Sequence, residues 1–586
     1  MKLKLVKQWH RNQELASLYF FAQRLDELFF DYTLDTYKPP ALNSIFLCRE
    51  AIKLISDIDN DLIDGANLTH VLEELLWCLG QDPIVKLMLT APVESFVLHG
   101  ESVKLSDTKV RLEVLERTLN PFLYLEICES LLKESISSGS KKKIDVVAKC
   151  YTSTLINLGV SKQHLYEQTQ RFFFYGEEIK EVRELDKFFY SISVTSHQYE
   201  IYFIVSDLIK QVDESIPVFG LKVLNKLPQE VFEVAKRNGL LPNQNEVWVE
   251  VKGIETYDRH SARIKAEKSL DMVRDLFLLF SHKNRIVWRE QSIITQCCDE
   301  TPMLIRKPKN SMEKCFDLRP EDASSRMNAM IINMGLEGSA FNKFHRVVDL
   351  HAIGTTNDLP ENQLLNVWIA LETLVPSQVH SGGKIVKVSN GIMPILLRNY
   401  IPRLVERLAG DLIRWNRKKT SRILRAINEP EDKGLYRKVL ELIALPQNDA
   451  VLKTLYAELG EFHLLRNRIF ELSDMFKKPE NLIKRIKLHE KKVTWQLRRI
   501  YRTRNLIVHS GSSISYIETL IENAHDYLDQ TMNAVLDYTC GVLDATSLEQ
   551  AFDMAKIDYE VYQKELKSIQ QFESDNLWVG LSQYSA

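Results

Sequence analysis

The stretch Ile500-Tyr501-Arg502-Thr503-Arg504-Asn505-Leu506-Ile507-Val508-His509-Ser510-Gly511 constrains this chain most. It closes a basic amphipathic helix on a titratable residue and sets an arginine where an apolar side chain belongs. Counted at helical spacing from Leu497, the apolar stripe runs through Ile500, Tyr501 and Val508, and Arg504 takes the slot between them. An arginine on a core-facing stripe calls for an anion. Ser510-Gly511 reads as the helix stop, because glycine readily adopts the left-handed backbone that ends a helix. His509 then lies where the helix dipole favours a cation, and imidazole is the group suited to proton transfer near neutral pH.

Charge makes this helix a candidate polyanion contact. Residues 477–509 hold eleven Lys/Arg against Glu480 and Glu490, and residues 398–425 hold nine against Glu406 and Asp411. The whole chain carries a net charge of −3, so the remainder is strongly acidic and the basic charge is concentrated in the C-terminal half. Lys491, Lys492, Arg498 and Arg499 are the candidate contacts to that polyanion. The competing reading is a solvated surface laced with salt bridges, the ordinary fate of a charge run.

The string Y-R-x-R-N-x-I-V-H-x-G, together with the upstream helix Leu365-Asn366-Val367-Trp368-Ile369-Ala370-Leu371-Glu372-Thr373-Leu374, resembles the HEPN superfamily, specifically its Apea-like branch found in bacterial antiphage proteins. The likeness covers roughly residues 355–545. It implies a metal-independent ribonuclease with no cofactor, in which Arg504, Asn505 and His509 are the catalytic trio. Glu372 would be the acidic residue of an earlier helix that faces them. Arg502, seven positions before His509, is the stand-in for Arg504 if the helix is rotated. The likeness also implies a homodimer that brings two copies of the helix together, and a dormant effector of antiphage defence by abortive infection. In the toxin branch paired with small nucleotidyltransferases a tyrosine stands two residues after the histidine. Here that position is Gly511, which argues against control by nucleotide transfer to that site.

The bare spacing recurs once, where Arg346 precedes His351 by the same five positions. Asp349 interrupts that segment and no Asn follows Arg346, so the pair is read as structural. The chemistry accounts for the types at 504–509. Cleavage of RNA by its own 2′-hydroxyl needs a base, an acid for the leaving oxygen, and stabilisation of the extra negative charge on phosphorus. His509 can be base or acid, and Arg504 can hold phosphate oxygens with its planar fork. Asn505 lies four before His509, on the same helical face, and can orient the imidazole or a phosphate. A non-catalytic RNA-binding or scaffold protein using the same basic groove is the alternative.

The chain has 586 residues, 45% hydrophobic and 26% charged, enough for several domains with sizeable cores. No run of eighteen uncharged apolar residues occurs, and the first ten residues lack the apolar stretch of a signal peptide, so a cytoplasmic chain without a membrane partner is expected. The eight cysteines show no CxxC pair and no histidine at ligand spacing, so neither a disulfide scaffold nor a zinc site is expected. Adjacent Cys297 and Cys298 are read as an idle pair.

The fold class expected is mainly α: a helical N-terminal region (1–180), a small α+β region with a sensor or regulatory role (181–350), a HEPN-type helical bundle (355–545) and a C-terminal helical extension (546–586). A phage-derived trigger acting at the N-terminal region would release the nuclease. Apolar spacing of 3.6 predicts helices over 13–35, 42–57, 68–79, 109–132 and 143–158, and one opening at 161. Strand-like alternation marks 188–194, 199–205, 246–251 and 285–288 around a helix over 262–281. Residues 135–143 form the clearest internal break, and Asp358-Leu359-Pro360-Glu361 is a helix start. The aromatic run Phe172-Phe173-Phe174-Tyr175 reads as core.

Overall fold

Helices at both ends flank one small antiparallel sheet in the middle of the chain, so the fold is mainly α with an α+β centre. The computed structural model describes residues 3–4, 6–61, 63–98, 104–315, 317–376, 383–427, 434–540 and 543–577. Two units emerge, one of residues 151–309 and one that joins residues 1–150 to 310–586. These replace the expected boundaries near 180 and 350. Periodicity locates a helix, but it does not say which distant helix covers its apolar face.

The central unit holds strands β1 (His197–Ser206), β2 (Leu221–Leu224), β3 (Glu246–Thr256), β4 (Trp288–Gln296) and β5 (Asp299–Arg306), in the order β2-β3-β1-β4-β5. Every pairing is antiparallel. β1 is central and buried on both faces, which is why Ile201 to Val205 read as a continuous apolar run. Ile201, Phe203 and Val205 pack with Ala262, Ala266 and Leu270 of the helix Arg259–Leu278. Tyr202 and Ile204 pack with Val231 and Ala235 of the helix Gln229–Arg237. The strand expected at 188–194 is instead the end of the helix Leu185–Ser191, with Phe188 and Phe189 buried. β2 and β5 were not foreseen, and the strand expected at 285–288 begins only at Trp288.

In the helical unit the single helix expected over 109–132 divides into Leu105–Thr118 and Pro121–Ser137. Asn120 accepts from the Phe122 and Leu123 amides, and Pro121 takes the first helical position, where its missing N–H costs nothing. The break near 135–143 is a turn through Gly139 at φ 74 between two helices, not a domain boundary. The helix after Asp358 begins at Pro360, as expected.

Two apolar cores among the described residues meet at the motif region of this unit. One gathers Trp368 and Leu371 of Pro360–Leu374, Leu497 and Ile500 of Pro479–Ser510, and Leu520 and Ala524 of Ile517–Thr539. The other gathers Leu404 and Leu408, Leu465 and Ile469, and Leu482 and Ile486. Pro479–Ser510, called here the motif helix, therefore spans both cores, the second half of it carrying the candidate site. The helix Leu548–Ser568 also serves both, through Phe552 in one and Tyr559 and Tyr562 in the other. It is part of the unit rather than an extension of it. No helix among the described residues is long and apolar enough to cross a membrane.

Candidate functional site

The motif helix ends as its sequence requires. Gly511 adopts φ 62 and ψ 11, and its N–H donates to the Ile507 carbonyl at 3.1 Å. His509 lies exposed in the last turn. Arg504 is half-buried, and its Nη1 donates to Asn505 Oδ1 at 3.1 Å. Its Nε is shielded from solvent and has no hydrogen-bond partner. Among the described residues no carboxylate pairs with Arg504. A desolvated donor without an acceptor costs about 1–3 kcal/mol, so this guanidinium is left unsatisfied within the fold. Asn505 and His509 share a face of the helix, but no hydrogen bond joins them among the described residues; the amide oxygen serves Arg504 instead.

Glu372 sits on Pro360–Leu374, which packs against the motif helix. Its Oε1 accepts from Trp368 Nε1 at 2.8 Å, and the Trp368 ring lies 5.4 Å from that of Tyr501. Glu372 is thus tied to Trp368, whose ring meets that of Tyr501, and Tyr501 lies one turn before Arg504 on the motif helix. It forms no ion pair with Arg504.

The buried face of the helix is rotated from the expected stripe. Val508 is 50% exposed, whereas Arg499 and Arg502 are buried beside Val493, Leu497 and Ile500. Both arginines are met by acids from the N-terminal helices Ser44–Asp59 and Ala66–Gln81. Arg499 donates to both Glu50 oxygens at 2.9 Å and to Glu74 Oε2 at 2.5 Å, and Arg502 donates to Glu50 Oε1 at 2.7 Å. Burial pushes the Glu50 carboxyl up, but the two guanidiniums outweigh it and hold it at about 2. Glu74 goes the other way: burial dominates, the neighbouring Glu50 anion adds to it, and its carboxyl is raised although it touches Arg499. Arg499 is therefore no RNA contact in this conformation, and Arg502 does not stand in for Arg504. A pattern that counts arginine as polar cannot see a guanidinium buried on acids.

Lys491 is paired with Glu73 at 2.8 Å. Lys492 is exposed, with its ammonium 5.2 Å from the Trp77 ring. Arg498 has no carboxylate partner among the described residues, and its Nε is shielded and unbonded. The second basic block is answered likewise, by Arg403 on Asp526, Arg414 on Asp411, and Lys419 and Arg422 on Glu458. A recess of about 370 Å³ elsewhere in the unit is lined by Arg24, Glu27, Asp145 and Arg468. Those groups neutralise one another, Arg24 with Asp145 at 2.6 Å and Arg468 with Glu27 at 2.5 Å.

Among the described residues, two clusters with metal-ligand character were not legible from spacing. His351, His525 and Asp529 converge in the helical unit, and His197, Cys297 and Cys298 in the sheet unit. Arg346, five positions before His351, is exposed and makes no bond to it among the described residues. No family model, curated protein or solved structure matches the chain.

Proposed function

We propose that the chain is a HEPN-type endoribonuclease that cuts RNA by 2′-hydroxyl attack, without a metal at the reacting phosphate, and leaves 2′,3′-cyclic phosphate ends. The observation that supports this most is the state of Arg504: half-buried, without a carboxylate, and with a shielded Nε that lacks an acceptor. A phosphate supplies the negative charge that this guanidinium lacks within the fold. Arg504 stabilises the charge that grows on phosphorus, and the Asn505 amide nitrogen is free to bind a second oxygen. His509, exposed at the helix end, reaches the 2′-hydroxyl or the 5′-oxygen. A homodimer supplies the second imidazole, because one histidine poorly serves both proton transfers.

In this reading the N-terminal helices restrain the enzyme. Glu50 and Glu74 hold Arg499 and Arg502, and a phage-derived trigger acting on that region releases them, in keeping with a dormant antiphage effector that ends in abortive infection. A non-catalytic RNA-binding role is favoured by one observation: nothing among the described residues orients the His509 ring. The test is to incubate wild-type, Glu50→Gln and doubly substituted Glu50→Gln/His509→Ala protein with total RNA and to map the cut ends. Cleavage with cyclic phosphate ends by Glu50→Gln that disappears when His509→Ala is added to it is expected. RNA bound but uncut by both wild type and Glu50→Gln, or cut equally by the double variant, defeats the nuclease reading.

A further inference from the structure

His351 lies on the helix Gly338–Thr356, and His525 and Asp529 lie one turn apart on Ile517–Thr539. Their side chains meet head-on. The two Nε2 atoms are 2.9 Å apart, Asp529 Oδ1 is 3.5 Å from His351 Nε2, and Asp529 Oδ2 is 3.4 Å from His525 Nε2. As a hydrogen-bonded cluster this is poor. Only one of the two nitrogens can carry the proton of the short contact, and both carboxylate approaches exceed the usual limit of about 3.2 Å. Around a cation the two carboxylate distances fit, and the 2.9 Å between the two nitrogens has to open by a few tenths of an ångström. A tetrahedral zinc ion with bonds of about 2.0–2.1 Å holds its ligand atoms about 3.3–3.4 Å apart.

The surroundings suit a cation too. His525 is 4% exposed and is held between His351 and Asp529. Asp529 and Asp317 both place negative charge on it. The side chains of His351 and Asp529 are 31% and 38% exposed, so water reaches the cluster to complete four-coordination. Two imidazoles and a carboxylate are ligands of intermediate hardness, matched to zinc and its neighbours rather than to calcium or magnesium.

We propose that His351, His525 and Asp529 bind one divalent first-row transition-metal ion of the zinc class. The ion bridges Gly338–Thr356 to Ile517–Thr539, and Pro360–Leu374, the helix of Glu372, packs against both. The site does not depend on the nuclease reading: cut RNA ends report on His509, and metal content reports on this cluster.

The test uses the full chain, stripped of metal and titrated with Co²⁺. One equivalent is expected to give the visible absorption of a four-coordinate ion, without near-ultraviolet thiolate charge transfer, and Zn²⁺ is expected to displace it. Binding is expected to weaken on the order of a hundredfold or more in Asp529→Asn and in His525→Gln. Asp529→Asn sits at the solvent edge and keeps the fold, which circular dichroism checks. The Cys297→Ser/Cys298→Ser double variant is expected to leave the band unchanged. Absence of the band in wild type, its persistence in both ligand variants, or its loss only in the cysteine variant overturns the proposal.

Discussion

Glu50→Gln tests whether the motif helix is held by its acids or merely decorated by them. The glutamine keeps the shape and removes the charge that faces Arg499 and Arg502. Two routes give the magnitude. The carboxyl falls from its ordinary 4.5 to about 2, and at about 1.36 kcal/mol per pH unit the folded protein gains about 3 kcal/mol from its ionisation. Removing one partner of a buried ion pair independently costs about 3–5 kcal/mol. Because the folded value is depressed, this stability is present above pH 4.5 and is lost as pH falls toward 2. The assay is hydrogen exchange on the full chain, since a multi-unit protein has no single unfolding free energy. At neutral pH, amides of Ser44–Asp59 and of the second half of the motif helix are expected to exchange about a hundredfold faster in the variant. The contrast with Glu74→Gln sharpens the test. The Glu74 carboxyl is raised rather than lowered, so its neutral isostere is expected to cost less than about 1 kcal/mol. Equal effects at the two positions, or no effect at Glu50, refute the assignment of Glu50 as the ionised anchor.

Arg504→Lys keeps the charge but loses the fork, and RNA cleavage is expected to fall on the order of a hundredfold while exchange in the motif helix stays unchanged. Gly511→Ala forces a side chain onto φ 62; a loss of about 1 kcal/mol at the helix end is expected, seen as faster exchange at Val508–Ser510 and weaker cleavage. Trp368→Phe removes the indole bond to Glu372, costing about 1 kcal/mol of local stability by the same measurement.

Helices whose apolar residues repeat locally were legible, and several of their ends were not. Asn120-Pro121 reads as punctuation only once it is recognised that an asparagine cap and a first-turn proline start a new helix inside a continuing pattern. The failure at 188–194 has a different source. Phe188 and Phe189 are buried on consecutive positions, which an isolated pattern attributes to a strand as easily as to a helix end. β2 is four residues long at the sheet edge, too short for any period to register. Unit boundaries were the least accessible, because membership of a core is decided by partners hundreds of residues away, as Leu548–Ser568 shows.

The site divides along the same line. Gly511 and His509 were legible because a helix stop is local chemistry, and the structure places both as expected. The burial of Arg499 and Arg502 was not, because Glu50 and Glu74 lie on helices near the other end of the chain. A global signal did point to it. A chain with a net charge of only −3 that carries two strongly basic blocks must hold the compensating acids elsewhere, and a folded chain brings such complements together to avoid burying either alone. Once those pairings are made, Arg504 and Arg498 remain as guanidiniums with a shielded, unbonded nitrogen. Arg504 is also one turn and a half from an exposed histidine, so that neighbour, and not leftover charge alone, is what sets this helix end apart.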